Sequence, residues 1–197
     1  REESINRDTE NALIEAIEER AKKVDAMLVS DYDGGIITDR VIKTVNRLAK
    51  KGLQVVVDSR YALKKFRYIT TGTPNETEAG PLVGMEHYSE KDVEIMTRKL
   101  ARLVKSRGMI VTRGSRGMNI YEKKKLVKIP AFGTDEIVDV SGAGDTVSSI
   151  VAVALACGAS LADAAYIANI GGGLVVMKRG VATVTVAEIR KALGKIA

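Results

Sequence analysis

Tryptophan is absent from this chain of 197 residues, phenylalanine occurs twice, and there is one cysteine. With so few aromatic residues, a hydrophobic core has to come from aliphatic side chains, which are numerous enough for one domain. The single cysteine, Cys157, cannot form an internal disulfide, so we expect a reducing, cytoplasmic setting. Because Cys157 lies in an apolar helical pattern, we expect it to be a small core residue.

Other absences exclude whole classes of function. No apolar run approaches the length that crosses a membrane, and no signal-peptide pattern is present. The only histidine, His87, is expected at the surface in a polar stretch, which argues against a Ser-His-Asp mechanism, and one histidine excludes a metal site built from several histidines. The net charge of +6 comes from basic residues scattered beside acidic ones, which favours small anionic substrates over nucleic acid.

The spacing of apolar residues alternates between two patterns along the chain. Helical spacing predicts helices near residues 13–24, 39–50, 90–106, 143–156, 161–176 and 186–193. Short apolar runs predict strands near residues 26–29, 53–57, 68–71, 109–111, 118–121 and 126–129. This alternation predicts an α/β fold with a mainly parallel sheet between helices, and one domain over residues 1–197, since no repeat or proline-rich linker divides it.

Polar residues stand where the predicted strands end. Ligands of parallel α/β sheets sit beyond the carboxyl ends of the strands, so these residues are expected near a binding site. They are Asp31, Asp58, Asn75, Thr112 and the loop that begins at Asp139.

The sequence Asp-Val-Ser-Gly-Ala-Gly-Asp from Asp139 to Asp145 is the most informative segment of the chain. Small residues at Gly142, Ala143 and Gly144 open the helix that follows, so their backbone N–H groups are expected to lie bare at its positive end and to bind phosphate. Asp145 lies in the same turn and can accept a proton, which suits phosphoryl transfer to an alcohol. Glycine-rich helix starts are also common, and Asp is favoured there by the helix dipole alone.

Asn75 and Glu78, three residues apart at a helix start, are candidates for a magnesium site. An amide and a carboxylate that share one face can hold hydrated Mg²⁺ beside phosphate oxygens. The same pair also makes a helix capping box, which needs no ligand. The sequence leaves both interpretations open.

Two glycine-containing segments are candidates for the nucleotide side of the site. Thr112, Gly114 and Gly117 form a strand end and turn where the backbone can approach a nucleotide, although an ordinary hairpin turn would use the same residues. Asn169 precedes three consecutive glycines, Gly172 among them, inside a predicted helix. Glycine is costly in a helix, so this run requires close packing or an approaching ligand.

Together these motifs resemble the ribokinase-like, or PfkB, carbohydrate kinases in order along almost the whole chain. The resemblance implies a three-layer αβα fold and ATP-dependent phosphorylation of a sugar hydroxyl. It implies that Asp145 is catalytic and that residues 142–144 form the anion hole. It assigns ATP binding to Asn75, Glu78, Thr112, Gly114, Gly117, Asn169 and Gly172.

The resemblance also implies metal ions. Asn75 and Glu78 would act on Mg²⁺ through water, and Asp139, Ser141 and Gly180 would hold a monovalent cation such as K⁺. Gly180-Val181-Ala182 resembles the Gly-x-Ala loop of that cation site.

Within the family, Ser30-Asp31-Tyr32 and Gly180–Val184 look like the heptose 7-phosphate kinase part of bifunctional heptose kinase/adenylyltransferases. That subfamily continues Gly-Lys-Gly where this chain has Asp33-Gly34-Gly35. The chain begins without Met and resembles only the carboxyl-terminal portion of such a kinase, so we expect the lid and part of the sugar site to be missing. The lid often mediates dimers in the family. A non-catalytic nucleotide-binding module and a kinase of another sugar or nucleoside stay open.

Overall fold

The computed structural model of the protein describes residues 4–86, 89–133 and 138–194. The expected surface position of His87 lies outside these described residues. None of the helices described is both long and apolar enough to span a membrane.

Six strands form two groups of three in the described part of the chain. The first group is parallel and comprises β1 (Ala26–Asp31), β2 (Gln54–Ser59) and β3 (Thr71–Gly72). The second group is antiparallel and comprises β4 (Gly108–Thr112), β5 (Met118–Glu122) and β6 (Lys125–Ile129).

The two groups adjoin through β3 and β4. The N–H group of Gly108 donates to the carbonyl of Thr70, and that of Thr112 to the carbonyl of Pro74, both at 3.0 Å. Asn75 and Thr112 form a parallel bridge at the end of this seam. The strands therefore follow one another in sequence order across the molecule, and the first four run in one direction.

Seven helices surround the strands in the described residues. They are α1 (Arg7–Arg20), α2 (Asp39–Lys50), α3 (Glu76–Leu82), α4 (Glu90–Leu103), α5 (Ala143–Ala156), α6 (Leu161–Val176) and α7 (Val186–Leu193). Short 3₁₀ turns lie at Leu63–Lys65 and Gly114–Arg116.

Alternate residues of β2 divide the core into two clusters. Val55 and Val57 pack with apolar residues of α2 and α4, whereas Val56 packs with residues of α5 and α6. Successive side chains of a strand point to opposite faces, so a continuous apolar strand requires helices on both sides. The predicted three-layer αβα arrangement is confirmed.

Some details differ from the sequence-based expectation. The first helix covers Arg7–Arg20 rather than residues 13–24. Cys157 is exposed, because it caps the last turn of α5 just before Gly158 rather than lying inside the helix. The third strand covers Thr71–Gly72 instead of residues 68–71. Tyr68 has a left-handed backbone with φ 62°, and such a residue cannot continue a β ladder.

Candidate active site

The polar residues predicted at the strand ends share one edge of the sheet. Ser30 and Asp31 of β1 lie in register with Asp58 and Ser59 of β2, and the Ser59 hydroxyl donates to Asp31 Oδ2 at 2.7 Å. Among the described residues, the buried hydroxyl of Thr73, which follows β3, has no hydrogen-bond partner. Buried polar groups are normally satisfied, so this orphaned atom suits a site that takes a polar ligand or water.

The first turn of α5 lies directly beyond this edge. The Ser30 hydroxyl lies 3.4 Å from Asp145 Oδ1. A Cβ built on Gly144 would lie 4.0 Å from Asp58 Oδ2. Residues far apart in the chain therefore meet as the sequence predicted.

Gly142 caps α5 with a left-handed backbone, φ 76°, a conformation that favours glycine. In the described residues no acceptor faces the N–H groups of Gly142 and Gly144. The N–H group of Ala143 was expected to be unpaired, but it donates to the carbonyl of Val140 at 3.2 Å and closes a tight turn. Two of the three expected donors are thus free here.

The Asp145 carboxylate already accepts a hydroxyl hydrogen bond. Tyr32 Oη lies 2.7 Å from Oδ1 and 2.6 Å from Oδ2. These distances lie within the range over which a general base reaches a substrate proton. The geometry around Asp145 therefore suits proton transfer from an alcohol.

Asp58 is a partly buried carboxylate beside the charges of Glu78 and Asp145. Burial raises its pKa from 3.8 to about 6, a hydrogen bond from Ser148 opposes that shift, and the two neighbouring charges add to it. The charges of Glu78 and Asp145 therefore disfavour the ionised form of Asp58 at the sheet edge.

We expect Asp58→Asn to stabilise the protein near neutral pH. The folded pKa of about 6 exceeds the ordinary 3.8, so the folded state binds more protons and the unfolding free energy falls as pH rises between these values. Asparagine has no charge to titrate, so it removes this pH dependence. The free energy of unfolding should rise by about 1–2 kcal/mol at pH 7.5, which is less than the full pKa shift corresponds to, because solvent screens the site. Urea unfolding at pH 4 and pH 7.5 measures it, with Asp25→Asn as the exposed control. Equal slopes in wild type and Asp58→Asn would contradict the expectation.

Asn75 and Glu78 form the capping box of α3. The Asn75 side chain accepts from the N–H group of Glu78 at 2.9 Å, and the Glu78 carboxylate accepts from the N–H group of Asn75 at 3.0 Å. Arg60 lies 3.5 Å from the other oxygen of Glu78. The helix-cap interpretation is therefore correct, and a magnesium role for the same pair stays a prediction.

The turn after β4 is held by packing and by ion pairs. Gly117 has φ 80°, and a Cβ there would lie 1.9 Å from the carbonyl oxygen of Ile129. Gly114 has φ 55° and faces open space. Arg113 is buried in ion pairs with Glu76 and Glu90, which hold it away from the role of a phosphate ligand. Hydrogen bonds from Arg113 lower the pKa of Glu90 to about 2.

The glycine run of α6 has a packing explanation. A Cβ on Gly172 would lie 3.0 Å from Val147 of α5, and a Cβ on Gly173 would lie 2.1 Å from the carbonyl oxygen of Phe132. The buried Asn169 donates to the carbonyl of Pro130 at 2.9 Å. Close packing alone accounts for Gly172, while its place beside a nucleotide stays a prediction.

The three residues predicted to hold a monovalent cation lie together. The Asp139 carboxylate accepts from the N–H group of Ser141 at 2.8 Å. That bond lowers the pKa of Asp139, and a weaker contribution comes from the backbone of Gly180. Backbone N–H groups of two separate loops therefore reach one charged carboxylate.

Sequence reasoning gave no role to two side chains that meet the Asp145 region. Tyr32 lies in the segment that carried the family resemblance, but nothing in its type or spacing signals a contact across 113 positions. Ser148 donates to the backbone carbonyl of Asp145 at 3.2 Å and hydrogen-bonds Asp58. Its position one turn after Asp145 was the available signal, since residues three apart share a helix face.

Residues 4–188 match the family described as pfkB family carbohydrate kinase, and the chain belongs to this family. It is 36% identical over 183 residues to the bifunctional protein HldE of Nitratiruptor, and 33% identical over 196 residues to that of Coxiella burnetii. These alignments cover 93% and 99% of this chain, and 39% and 41% of the relatives. The chain thus spans about two fifths of the length of these curated relatives.

Solved structures confirm the ribokinase-like fold. Phosphofructokinase-2 from Escherichia coli, crystallised with potassium, superposes with a TM-score of 0.85 at 20% identity, over 98% of this chain and 63% of that one. Ribokinase from Thermotoga maritima superposes with a TM-score of 0.72 at 23% identity, over 89% of this chain and 59% of that one.

Proposed function

We propose that this chain carries the ATP-binding and catalytic portion, over residues 1–197, of a sugar kinase that transfers phosphate to the hydroxyl of a phosphorylated sugar. The observation that carries the proposal is Asp145, which accepts a hydroxyl hydrogen bond in the first turn of α5, next to the free N–H groups of Gly142 and Gly144. Similarity to the HldE proteins favours D-glycero-D-manno-heptose 7-phosphate as the acceptor.

The reaction uses these groups in one displacement. The acceptor oxygen attacks the γ-phosphorus of ATP, its proton passes to the Asp145 carboxylate, and the bond from that phosphorus to the β–γ bridging oxygen breaks to release ADP. The N–H groups of Gly142 and Gly144 stabilise charge on the transferring group, and one such preorganised donor is worth about 3–4 kcal/mol. Ala143 joins them if the turn closed by Val140 opens.

Oxygen donors at the sheet edge fit magnesium. Asn75 and Glu78 would hold the ion through water, since Mg²⁺ prefers oxygen ligands and keeps several waters. The described residues contain no cluster of three or more carboxylate, imidazole or thiol groups that could hold a metal. Bound Mg²⁺ supplies charge neutralisation of the β- and γ-phosphates. Thr112, Gly114, Gly117, Asn169 and Gly172 would line the nucleotide.

We also propose that this sugar kinase uses a monovalent cation and works in the cytoplasm. Asp139 would supply a carboxylate and Ser141 and Gly180 would supply backbone carbonyl oxygens, and the similar phosphofructokinase-2 was crystallised with potassium. Family resemblance favours a homodimer. A coupled ADP-release assay with phosphorylated heptoses and hexoses, with and without K⁺, tests the substrate and the cation together.

One observation favours a second function, a nucleotide-binding module without catalysis. Asp33-Gly34 replaces the Gly-Lys of heptose kinases beside Tyr32, where an acceptor would approach Asp145. Nucleotide binding by calorimetry with no ADP release on any acceptor would favour that module.

Glu78→Gln is expected to raise the Mg²⁺ concentration for half-maximal turnover about tenfold, as loss of a metal-positioning partner usually does. Its control is Glu188→Gln in α7, because Glu188 also completes a capping box and also pairs with a basic residue, Lys178 at 2.6 Å. Both variants should keep the capping bond, because the side-chain carbonyl of glutamine also accepts from the N–H group of the N-cap residue. If both variants show the same Mg²⁺ dependence as the wild-type protein, Glu78 only caps the helix and does not position the metal.

A further inference from the structure

Tyr32 occupies the place that the proposed mechanism gives to the acceptor. Its phenol oxygen lies 2.7 and 2.6 Å from the two carboxylate oxygens of Asp145. An acceptor alcohol would have to donate its own O–H group to the same carboxylate. Both cannot donate there in the same geometry, so Tyr32 and an acceptor compete.

The side chain of Tyr32 is free to leave that place. It is 71% exposed, so its ring adds little to the core, and the hydrogen bond to Asp145 is its main attachment. Swinging outward would break that bond and would bury no new surface. An acceptor that supplies an equivalent hydrogen bond can therefore displace it.

The backbone that carries Tyr32 is fixed, in contrast. Asp31 Oδ1 accepts from the N–H group of Asp33 at 3.0 Å, and Asp31 Oδ2 accepts from the Ser59 hydroxyl at 2.7 Å. Asp33 adopts a left-handed backbone with φ 64° at this turn. The ring can therefore rotate while its backbone stays in place, and it returns to Asp145 once the acceptor leaves.

We propose that Tyr32 is a specificity-determining gate, which covers Asp145 against water until a sugar hydroxyl displaces it. The inference rests on the proposed kinase function. Without a gate, water could attack the γ-phosphorus, give its proton to Asp145 and release ADP and phosphate, in a hydrolysis that wastes ATP. With the phenol in place, the proton acceptor is occupied whenever no sugar is bound.

The test compares Tyr32→Phe with wild type in the longest natural form of the protein that contains this chain. ADP release from MgATP is measured with no acceptor and with heptose 7-phosphate or another phosphorylated sugar. We expect release without acceptor to rise about tenfold and KM for the sugar to fall by a similar factor, which is the effect of one hydrogen bond. Tyr68→Phe is the control, because Tyr68 is 41% exposed and its ring centroid lies 5.5 and 5.7 Å from the ammonium groups of Lys50 and Lys105.

A second readout does not depend on turnover. The hydrogen bond to Asp145 raises the pKa of Tyr32. Alkaline absorbance titration of wild type minus Tyr32→Phe should show this high pKa, and Asp145→Asn should return it toward the ordinary tyrosine value. A Tyr32 titration that Asp145→Asn does not shift overturns the contact, whatever the enzyme does.

The other outcomes are also decisive. A normal sugar KM with unchanged ADP release in Tyr32→Phe overturns the gate while leaving the kinase intact. A collapse of kcat shows instead that Tyr32 assists the chemistry. If the wild-type protein releases no ADP with any sugar although the titration confirms the contact, the proposed function itself fails, and the gate with it.

Discussion

Asparagine at position 145 is expected to lower acceptor-dependent turnover by about 10²–10⁴-fold, which is the usual contribution of a positioned general base. Asparagine preserves the shape of the side chain but cannot take the proton of the attacking hydroxyl. The N–H groups of Gly142 and Gly144 are unchanged, so nucleotide binding should stay nearly intact. ADP release and calorimetric ATP binding in the full-length protein measure the two effects separately.

Asp163→Asn is the matched control. Asp163 is the third residue of α6, as Asp145 is of α5, so both substitutions remove a carboxylate that the helix dipole favours. Both variants should stay folded, and only Asp145→Asn should lower turnover. Near-normal kinase rates in Asp145→Asn would refute its assignment as the base.

Alanine at position 117 is expected to destabilise the protein by about 3 kcal/mol or more, because two costs combine. The backbone has φ 80° and ψ −129°, a region that only glycine adopts readily. The added Cβ would also lie 1.9 Å from the Ile129 carbonyl oxygen and 2.7 Å from the N atom of Ala131. Backbone atoms cannot move aside as a flexible side chain can, so β5 and β6 would have to separate locally.

Gly114→Ala separates the two costs, since Gly114 also has a positive φ, 55°, but nothing within 4 Å of its added Cβ. That variant should lose only about 1 kcal/mol. Denaturant unfolding of both variants measures the difference. Equal losses would mean that the contact with Ile129 relaxes freely and that Gly117 serves an open ligand-facing turn.

The sequence predicted most of the fold because its periodic patterns are long. The helices at residues 143–156 and 161–176 lie at their predicted bounds, and the alternating strands and helices gave the three layers. The prediction that Cys157 is a core residue was wrong. Because α5 is apolar on nearly all sides, periodicity could not identify the exposed end of the helix. The third strand was misplaced because the left-handed backbone of Tyr68 has no signal in its residue type.

The candidate site also contains some contacts that the sequence could predict and others that it could not. The family resemblance assigned Asp139 and Ser141 to one site, and they lie together because they are two residues apart in one loop. The contact between Tyr32 and Asp145 depends on where β1 ends relative to α5, which only the assembled sheet determines. The ion pairs of Arg113 were not predictable either, because its carboxylate partners, Glu76 and Glu90, lie in other helices.

Arg113 also has a consequence for how the molecule opens. Glu76 and Glu90 are the first residues of α3 and α4, and one buried guanidinium joins both to the turn after β4. Detaching either helix alone would strand that buried cation with a partner missing, which is strongly unfavourable. Hydrogen exchange should therefore report α3, α4 and this turn as a single cooperative unit, which would carry Asn75 and Glu78 with it in every local excursion.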